Sequence, residues 1–508
     1  MAIAKVNTAA IVGLEGHLIE VEVDISSGLP SITIVGLPDT AVQEAKERVR
    51  SAIRNSNYIV PRRRVTVNLA PADLKKEGPG YDLPIAIGIL ISSEQLNYDA
   101  SQALFLGELS LDGSLRHTHG ILPMVAFAQK QGFPQVFVSA VDVKEAALIE
   151  ELEVIPANSL AELVAYLRGD ISIQPYVMDS ESRASMAQEL HGTDFAEIKG
   201  QQHVKRALEI SAAGGHNILM SGPPGSGKTM MARSLPSLLP RMTAEEALDV
   251  SKIYSVSGLL PSDSPSIVQR PFRSPHYTIS HAGLVGGGRI PRPGEISLSH
   301  HGVLFLDELA EFDRSALEAL RQPLEDKVIT ISRAQGSLTF PANFTLVAAM
   351  NPCPCGHHGK SMKVCRCSSG QISRYQKKIS GPLLDRIDIF TNVPPVEYEK
   401  LFDQTLGESS MEIRGRVEAA RQLQQQRLRG TGLSFNAAMS PVEVRSFCRL
   451  NSANQQLLHS ATKQLLLSAR AFHRILKLSR TIADLENADN IETSHLTEAI
   501  QYRSHTLE

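Results

Sequence analysis

Residues Gly222-Pro223-Pro224-Gly225-Ser226-Gly227-Lys228-Thr229 match the phosphate-binding pattern G-x-x-x-x-G-K-[ST] without a gap. The chemistry requires these residue types in this order. Ile218-Leu-Met220 reads as a short buried strand. The glycines let the backbone curl so that its N–H groups converge on phosphate oxygens, and a helix begins near Thr229. Lys228 then reaches the β- and γ-phosphates, and the Thr229 hydroxyl ligates Mg²⁺. Such a loop also needs carboxylates. Val303-Leu-Phe-Leu-Asp-Glu308 supplies them where a second apolar strand ends, with Asp307 at the metal and Glu308 placed to orient or deprotonate water. The alternative, a Gly-rich turn beside an unrelated acidic strand end, does not explain eight matching residues and a matching partner. The two motifs imply a parallel-sheet α/β core that binds and hydrolyses a nucleoside triphosphate.

Composition sets the wider frame. The chain has 508 residues, of which 42% are hydrophobic and 21% charged, enough to bury a large core and to divide into roughly three domains of about 100–200 residues each. No apolar run approaches the ~18 residues of a membrane span. The N-terminus lacks a charged leader followed by a continuous apolar core; it leads into Leu18-Ile-Glu-Val-Glu-Val-Asp24, which alternates like a half-buried strand. Five cysteines, four of them between Cys353 and Cys367, are too few for a disulfide scaffold. A cytoplasmic protein is expected.

Three domains and a linker are predicted. Residues 1–168 mix short strands and helices, and the polar stretch 169–192 reads as a linker. Residues 193–395 hold the nucleotide motifs. From 396 to 508 helical periodicity dominates, as in Leu465-Leu-Leu-Ser-Ala-Arg-Ala-Phe-His-Arg-Ile-Leu-Lys-Leu478, which predicts a helical lid.

The central block resembles the AAA+ ATPases of the magnesium-chelatase-like group, and within them the ComM/YifB family. Asp194-Phe-Ala-Glu-Ile-Lys-Gly-Gln201 looks like the segment that precedes the first strand and packs on the nucleotide base. Asn351, after the strand Thr345-Leu-Val-Ala-Ala-Met350, sits where such enzymes keep a polar sensor for the attacking water. Gly381-Pro-Leu-Leu-Asp-Arg-Ile-Asp388 is similar to the motif bearing an arginine finger, which implicates Arg386. Ser468-Ala-Arg470 resembles the second sensor, although Arg474, one turn on, is an alternative. Asn351 could instead cap a strand, and Arg386 could pair with Asp385 or Asp388. The resemblance covers essentially the whole chain. It implies ATP and Mg²⁺ as cofactors and, because a finger serves a neighbour's nucleotide, a homo-oligomeric ring; six subunits is the family expectation.

The first domain looks like the Lon-protease type of α/β domain, with a departure. That family carries a nucleophilic serine in Lys-Asp-Gly-Pro-Ser; here the segment is Lys76-Glu-Gly-Pro-Gly80, and the lysine position falls on Met124. A Ser–Lys dyad needs both groups, so a catalytically dead platform is expected. Arg62-Arg-Arg64 could touch nucleic acid or be a solvated charge run.

Cys353-Pro-Cys355 and Cys365-Arg-Cys367 offer four thiolates for a structural Zn²⁺. The C-x-C spacing is tighter than usual. His357 or His358 could replace a thiol, and four reduced cysteines or a redox pair are the alternatives. The loop is expected to lie outside the phosphate-binding loop. Cys448 reads as buried and inert.

Net charge is formally −3, yet its distribution is uneven. No acid occurs between Ser264 and Gly294, which contains Arg270, Arg273, Arg289 and Arg292. None occurs between Cys353 and Ser380, which contains Lys360, Lys363, Arg366, Arg374, Lys377 and Lys378. Val328–Arg333 and Ser337–Phe340 alternate like a hairpin. Acid-free basic loops are the footprint of a phosphate backbone. The predicted function is a ring-forming ATP-dependent motor on single-stranded or branched DNA, resembling the branch-migration helicases of transformation and recombination. The alternative is a magnesium-chelatase-type ATPase that remodels a metal-insertion partner. A scaffold without turnover is disfavoured by Lys228, Asp307 and Glu308.

Overall fold

Apolar runs dictate the sheet that carries the nucleotide motifs. Val303–Leu306 and Thr345–Met350 are buried at every position, the pattern of strands covered on both faces and hence of a parallel sheet. In the computed structural model they are central strands of a five-stranded sheet in the order Phe272–Arg273, Val303–Leu306, Thr345–Met350, Ile218–Ser221, Ile389–Asn392, all neighbours parallel. Ser221, Leu306 and Met350 therefore end on one edge of the sheet, where parallel sheets bind ligands. Phe305, Val347, Ile218 and Ile389 are fully buried in one core cluster; truncating Phe305 to Ala would cost about 3–5 kcal/mol. The structure describes residues 3–76, 78–178, 193–261, 266–288, 291–333, 336–359, 363–395, 407–465 and 467–504.

The chain forms two compact units: residues 1–189 with 244–268, and 190–243 with 269–508. In the second unit the sheet is followed by helices Ser410–Arg427, Pro441–Phe447, Ser452–Gln464, Ala469–Leu485 and Thr493–Ser504. The run Leu465–Leu478, expected to be continuously helical, is broken. Ser468 adopts extended backbone and its hydroxyl accepts the Ala471 N–H at 3.2 Å, capping a new helix. Val328–Arg333 and Gly336–Pro341 pair as the predicted antiparallel hairpin, with Ile329 and Ile331 buried and Thr330 and Ser332 exposed.

The first unit is built on a mixed seven-stranded sheet in the order Ser31–Val35, Arg64–Ala70, Glu15–Ser26, Ala4–Val12, Ala103–Phe105, Gln135–Ser139, Glu153–Ala157. Its helix Asp82–Ser92 is apolar around nearly its whole circumference and is almost entirely buried. The one carboxylate on it, Asp82, is paired bidentately by Arg48 at 2.7 and 3.0 Å. Helix Ala244–Ser257, which by sequence position falls in the central block, belongs to this unit. Ser255 Oγ donates to Glu145 Oε1 at 2.6 Å. Of the linker 169–192, residues 179–192 lie outside the described residues, as do 396–406 at the start of the expected lid.

Candidate active site

The phosphate-binding loop is shaped by two glycines with different reasons to be glycine. Gly227 heads the helix Lys228–Leu238 at φ +90°, in the left-handed region that strains other residues. A Cβ on Gly222 would run into the carbonyl oxygen of Val393. Lys228 is buried at the helix start, and its ammonium donates to the carbonyls of Gly222 and Pro223 at 2.7 and 2.9 Å and to Asn351 Oδ1 at 3.4 Å. Burial lowers its pKa, opposed by the charges of Asp307 and Glu308.

The acidic strand delivers its carboxylates to the same place. Thr229 Oγ1 donates to Asp307 Oδ2 at 2.7 Å, and Asp307 Oδ1 accepts the Glu308 N–H at 2.9 Å. Glu308 is exposed and sits at φ +52°, a conformation that costs a non-glycine residue on the order of 1 kcal/mol or more. Lys228, Thr229, Asp307, Glu308 and Asn351 are thus brought together as the motifs imply.

Arg386 and Arg470 form a second cluster. Arg386 is largely buried; Nε and Nη1 donate to the carbonyls of Arg321 and Pro382 at 3.0 and 2.8 Å, and Nη2 pairs with Glu325. Arg470 reaches the other oxygen of Glu325, at 3.6 Å. Arg386 pairs with neither Asp385 nor Asp388 through the contacts of its guanidinium. Arg474 is instead committed to buried Asp388, which also accepts the Asn217 N–H at 2.9 Å. Desolvation opposes the Asp388 charge, but Arg474 and His216 outweigh it and hold the carboxyl well below the usual range.

The four sulfurs of Cys353, Cys355, Cys365 and Cys367 lie within 4.8 Å of one another. Three of the separations are 3.4, 3.6 and 3.7 Å, against about 3.8 Å for the edge of a tetrahedron with metal–sulfur bonds of about 2.3 Å. Neither His357 nor His358 belongs to the cluster. Main-chain N–H groups of Arg366 and His357 hydrogen-bond Cys355 and hold its thiol down to about 6. Cys448 is buried, its thiol pushed up to about 12 by desolvation.

The thiol loop lies outside the phosphate-binding loop, as expected, but close beside it. Cys353 follows Asn351 by two residues, and a Cβ built on Gly356 would lie 2.5 Å from Pro224 Cδ. The helix Ser369–Gln376 beyond the cluster returns to the site. Gln376 Nε2 donates to the Pro352 carbonyl at 3.5 Å. Tyr375 was missed by sequence reasoning. It is buried, and burial with the charges of Glu311 and Glu308 pushes its hydroxyl up to about 12, the nearby Asn351 main-chain N–H acting against that shift. The available signal was that Tyr375 is the only Phe, Tyr or Trp between Cys353 and Ser380.

Comparison with known proteins bears on this arrangement. The family model described as "Magnesium chelatase, subunit ChlI" matches residues 194–401, "Subunit ChlI of Mg-chelatase" matches 21–142, and "Magnesium chelatase, subunit ChlI C-terminal" matches 407–503. The competence protein ComM of Haemophilus influenzae is 45% identical over 99% of this chain and 98% of its own length. The protein YifB of Escherichia coli is 44% identical over 99% and 97%. The chain belongs to the magnesium-chelatase-like ComM/YifB family of AAA+ proteins. A magnesium-chelatase 67 kDa subunit of Chlorobaculum parvum is more distant, 26% identical over 40% of this chain and 27% of its own length.

The ComM/YifB family implies ATP and Mg²⁺, and the residues fit both. Ser226 Oγ is buried in the loop without a hydrogen-bond partner among the described residues. The Lys228 ammonium is held at the loop by the carbonyls of Gly222 and Pro223, and Thr229 and Asp307 present two oxygens 2.7 Å apart. Among the described residues no helix is long and apolar enough to cross a membrane.

The two basic stretches fare differently. Arg273 makes a bidentate pair with Glu295 at 2.6 and 2.7 Å, and Arg270 donates to the carbonyls of Pro240 and His301 at 2.6 and 2.7 Å. Both are structural ties; Arg292 is exposed, and Arg289 in this stretch and Lys360 in the other lie outside the described residues. Arg374, Lys377 and Lys378 are exposed on and just after the Tyr375 helix. In the first unit Met124 is buried beside Leu122 and Val136, and the Lys76 ammonium donates to the Pro71 carbonyl. Arg62, Arg63 and Arg64 are exposed.

Proposed function

We propose that this protein is a ring-forming ATPase that drives movement along DNA and branch migration of joined strands. The observation that carries the reading is the exposed basic surface of Arg374, Lys377 and Lys378 on and just after a helix that, through Gln376, bonds the Pro352 carbonyl next to Asn351. A phosphate backbone binds such a surface by releasing counterions, without reading bases. The name of the relative ComM, a competence protein, is in keeping with work on DNA.

In this reading ATP with Mg²⁺ supplies the scissile phosphoanhydride and the divalent charge. Gly222 to Gly227 present main-chain N–H groups, Lys228 turns from the loop carbonyls to the phosphates, and Thr229 and Asp307 hold the metal. Glu308 accepts a proton from water that Asn351 positions. Arg386 serves a neighbour's nucleotide, which makes the active unit a homo-oligomer and a hexameric ring the proposed form, and Arg470, which shares Glu325 with it, is the second sensor. The tie of Arg474 to Asp388 supports Arg470 over Arg474 as the second sensor. The four cysteines hold a structural Zn²⁺ that ties Cys353 and Cys355 to Cys365 and Cys367. The first domain acts as a non-peptidase platform of the Lon type, since positions 80 and 124 are Gly80 and Met124.

The match to a magnesium-chelatase 67 kDa subunit favours one other reading, an ATPase that remodels a metal-insertion partner. A labelled three- or four-way junction incubated with protein and ATP separates the two. Resolution by the parent and none by Glu308→Gln is expected. No ATP-dependent resolution, with an ATPase indifferent to DNA, decides for the remodeller.

A further inference from the structure

Lys378 follows the Tyr375 helix and is exposed, one of the cations expected to meet phosphate. It already has an anionic partner: its ammonium lies 3.0 Å from Glu311 Oε2, both side chains being nearly half exposed. It also lies 5.6 Å from the centre of the Tyr375 ring. Glu311 ends the short turn Leu309–Glu311 that begins directly after Glu308, and the Glu311 N–H donates to the Glu308 carbonyl at 2.7 Å. One ion pair therefore joins the basic surface to the turn that Glu308 caps, while Gln376 on the same helix bonds the Pro352 carbonyl next to Asn351. Surface ion pairs are weak and screened, so a dense row of phosphates can displace the carboxylate.

We infer that the Lys378–Glu311 pair is an intramolecular clamp: Glu311 occupies the cation that a polynucleotide phosphate would take, and phosphate binding at Lys378 releases the Glu308 turn for hydrolysis. The inference rests on the DNA-motor reading for its ligand. The clamp itself is a property of the DNA-free protein. Linkage fixes the sign: if phosphate and Glu311 compete for Lys378, neutralising Glu311 must strengthen polynucleotide binding, and the same competition couples binding to the hydrolysis site.

The test compares Glu311→Gln, Lys378→Gln, Lys378→Arg and the double glutamine variant in the full-length protein. Steady-state ATPase is measured without DNA, and binding to a labelled mixed-sequence duplex is followed across a salt series. Both single glutamine variants should raise the DNA-free kcat by about two- to fivefold, the range an exposed ion pair can supply, with KM for ATP unchanged. The double variant should give no further rise, because the two residues make one interaction. Glu311→Gln should bind duplex tighter by a similar factor and Lys378→Gln weaker, whereas Lys378→Arg should behave as the parent. A DNA-free kcat that stays at or below the parental value in both single variants overturns the clamp; so does a duplex affinity unchanged by Glu311→Gln. A parent whose ATPase ignores DNA removes the motor reading instead, and the DNA-free rates of the variants still decide whether the clamp exists.

Discussion

Thr229 Oγ1, at the start of the helix Lys228–Leu238, donates to Asp307 Oδ2, just past the end of the strand Val303–Leu306, at 2.7 Å. A hydroxyl on the phosphate-binding helix and a carboxylate on the neighbouring motif thus present their oxygens to one point, as two ligands of a small divalent cation must. The two residues are 78 positions apart in the chain, and their convergence follows from the parallel order of the sheet.

Glu308→Gln should retain nucleotide and lose turnover, because the amide keeps the shape and cannot accept a proton. Lys228→Ala should weaken nucleotide binding itself. Binding of a fluorescent ATP analogue beside phosphate release separates the two effects. Near-parental hydrolysis by Glu308→Gln would move the water-activating role to another residue.

Arg386→Ala should lower kcat by on the order of 10³ with little change in ATP affinity if the arginine acts in trans. Mixing Arg386→Ala with Lys228→Ala subunits should restore part of the activity, since some interfaces then pair an intact pocket with an intact finger. Glu325 holds both Arg386 and Arg470, so Glu325→Ala should impair the same mixed-ring complementation. If no mixture recovers hydrolysis, the shared site is wrong.

Purified protein should contain about one zinc per chain, with Zn–S distances near 2.3 Å by X-ray absorption. Because Gly356 abuts Pro224 and Cys353 lies two residues from Asn351, removing the metal, or Cys365→Ser, should reduce kcat as well as DNA binding. Elemental analysis without zinc in protein prepared without chelators excludes the site.

Asp388→Asn should destabilise the second unit by about 3–5 kcal/mol, because Arg474 then loses its buried counter-charge. Asp388 has a folded pKa below its ordinary value of 3.8, so its contribution is present above that value and is lost as pH falls through the folded one. Denaturant midpoints measured from pH 6 down to 2 should fall for the parent in the acid range and fall less for Asp388→Asn. A variant with the parental midpoint at pH 6 would show that the pair adds nothing to stability.

Local motifs were legible from the chain because their chemistry depends on neighbours in sequence. The glycines of 222–227, the Asp307-Glu308 strand end and the alternating strands Val328–Arg333 and Gly336–Pro341 each carry their signal within a few residues. Choices between equivalent residues were not legible. Arg470 and Arg474 occupy one face of one helix, and only Asp388, brought in from the end of another strand, distinguishes them. Arg270 and Arg273 have the same local setting as solvent-facing cations until Pro240, His301 and Glu295 are seen to bind them. Tyr375 and the Lys378–Glu311 pair depend on a helix folding back across the sheet edge. A side chain's type and spacing are written in the chain, but its partner is set by tertiary packing, and at a charged or buried group the partner determines what the group does.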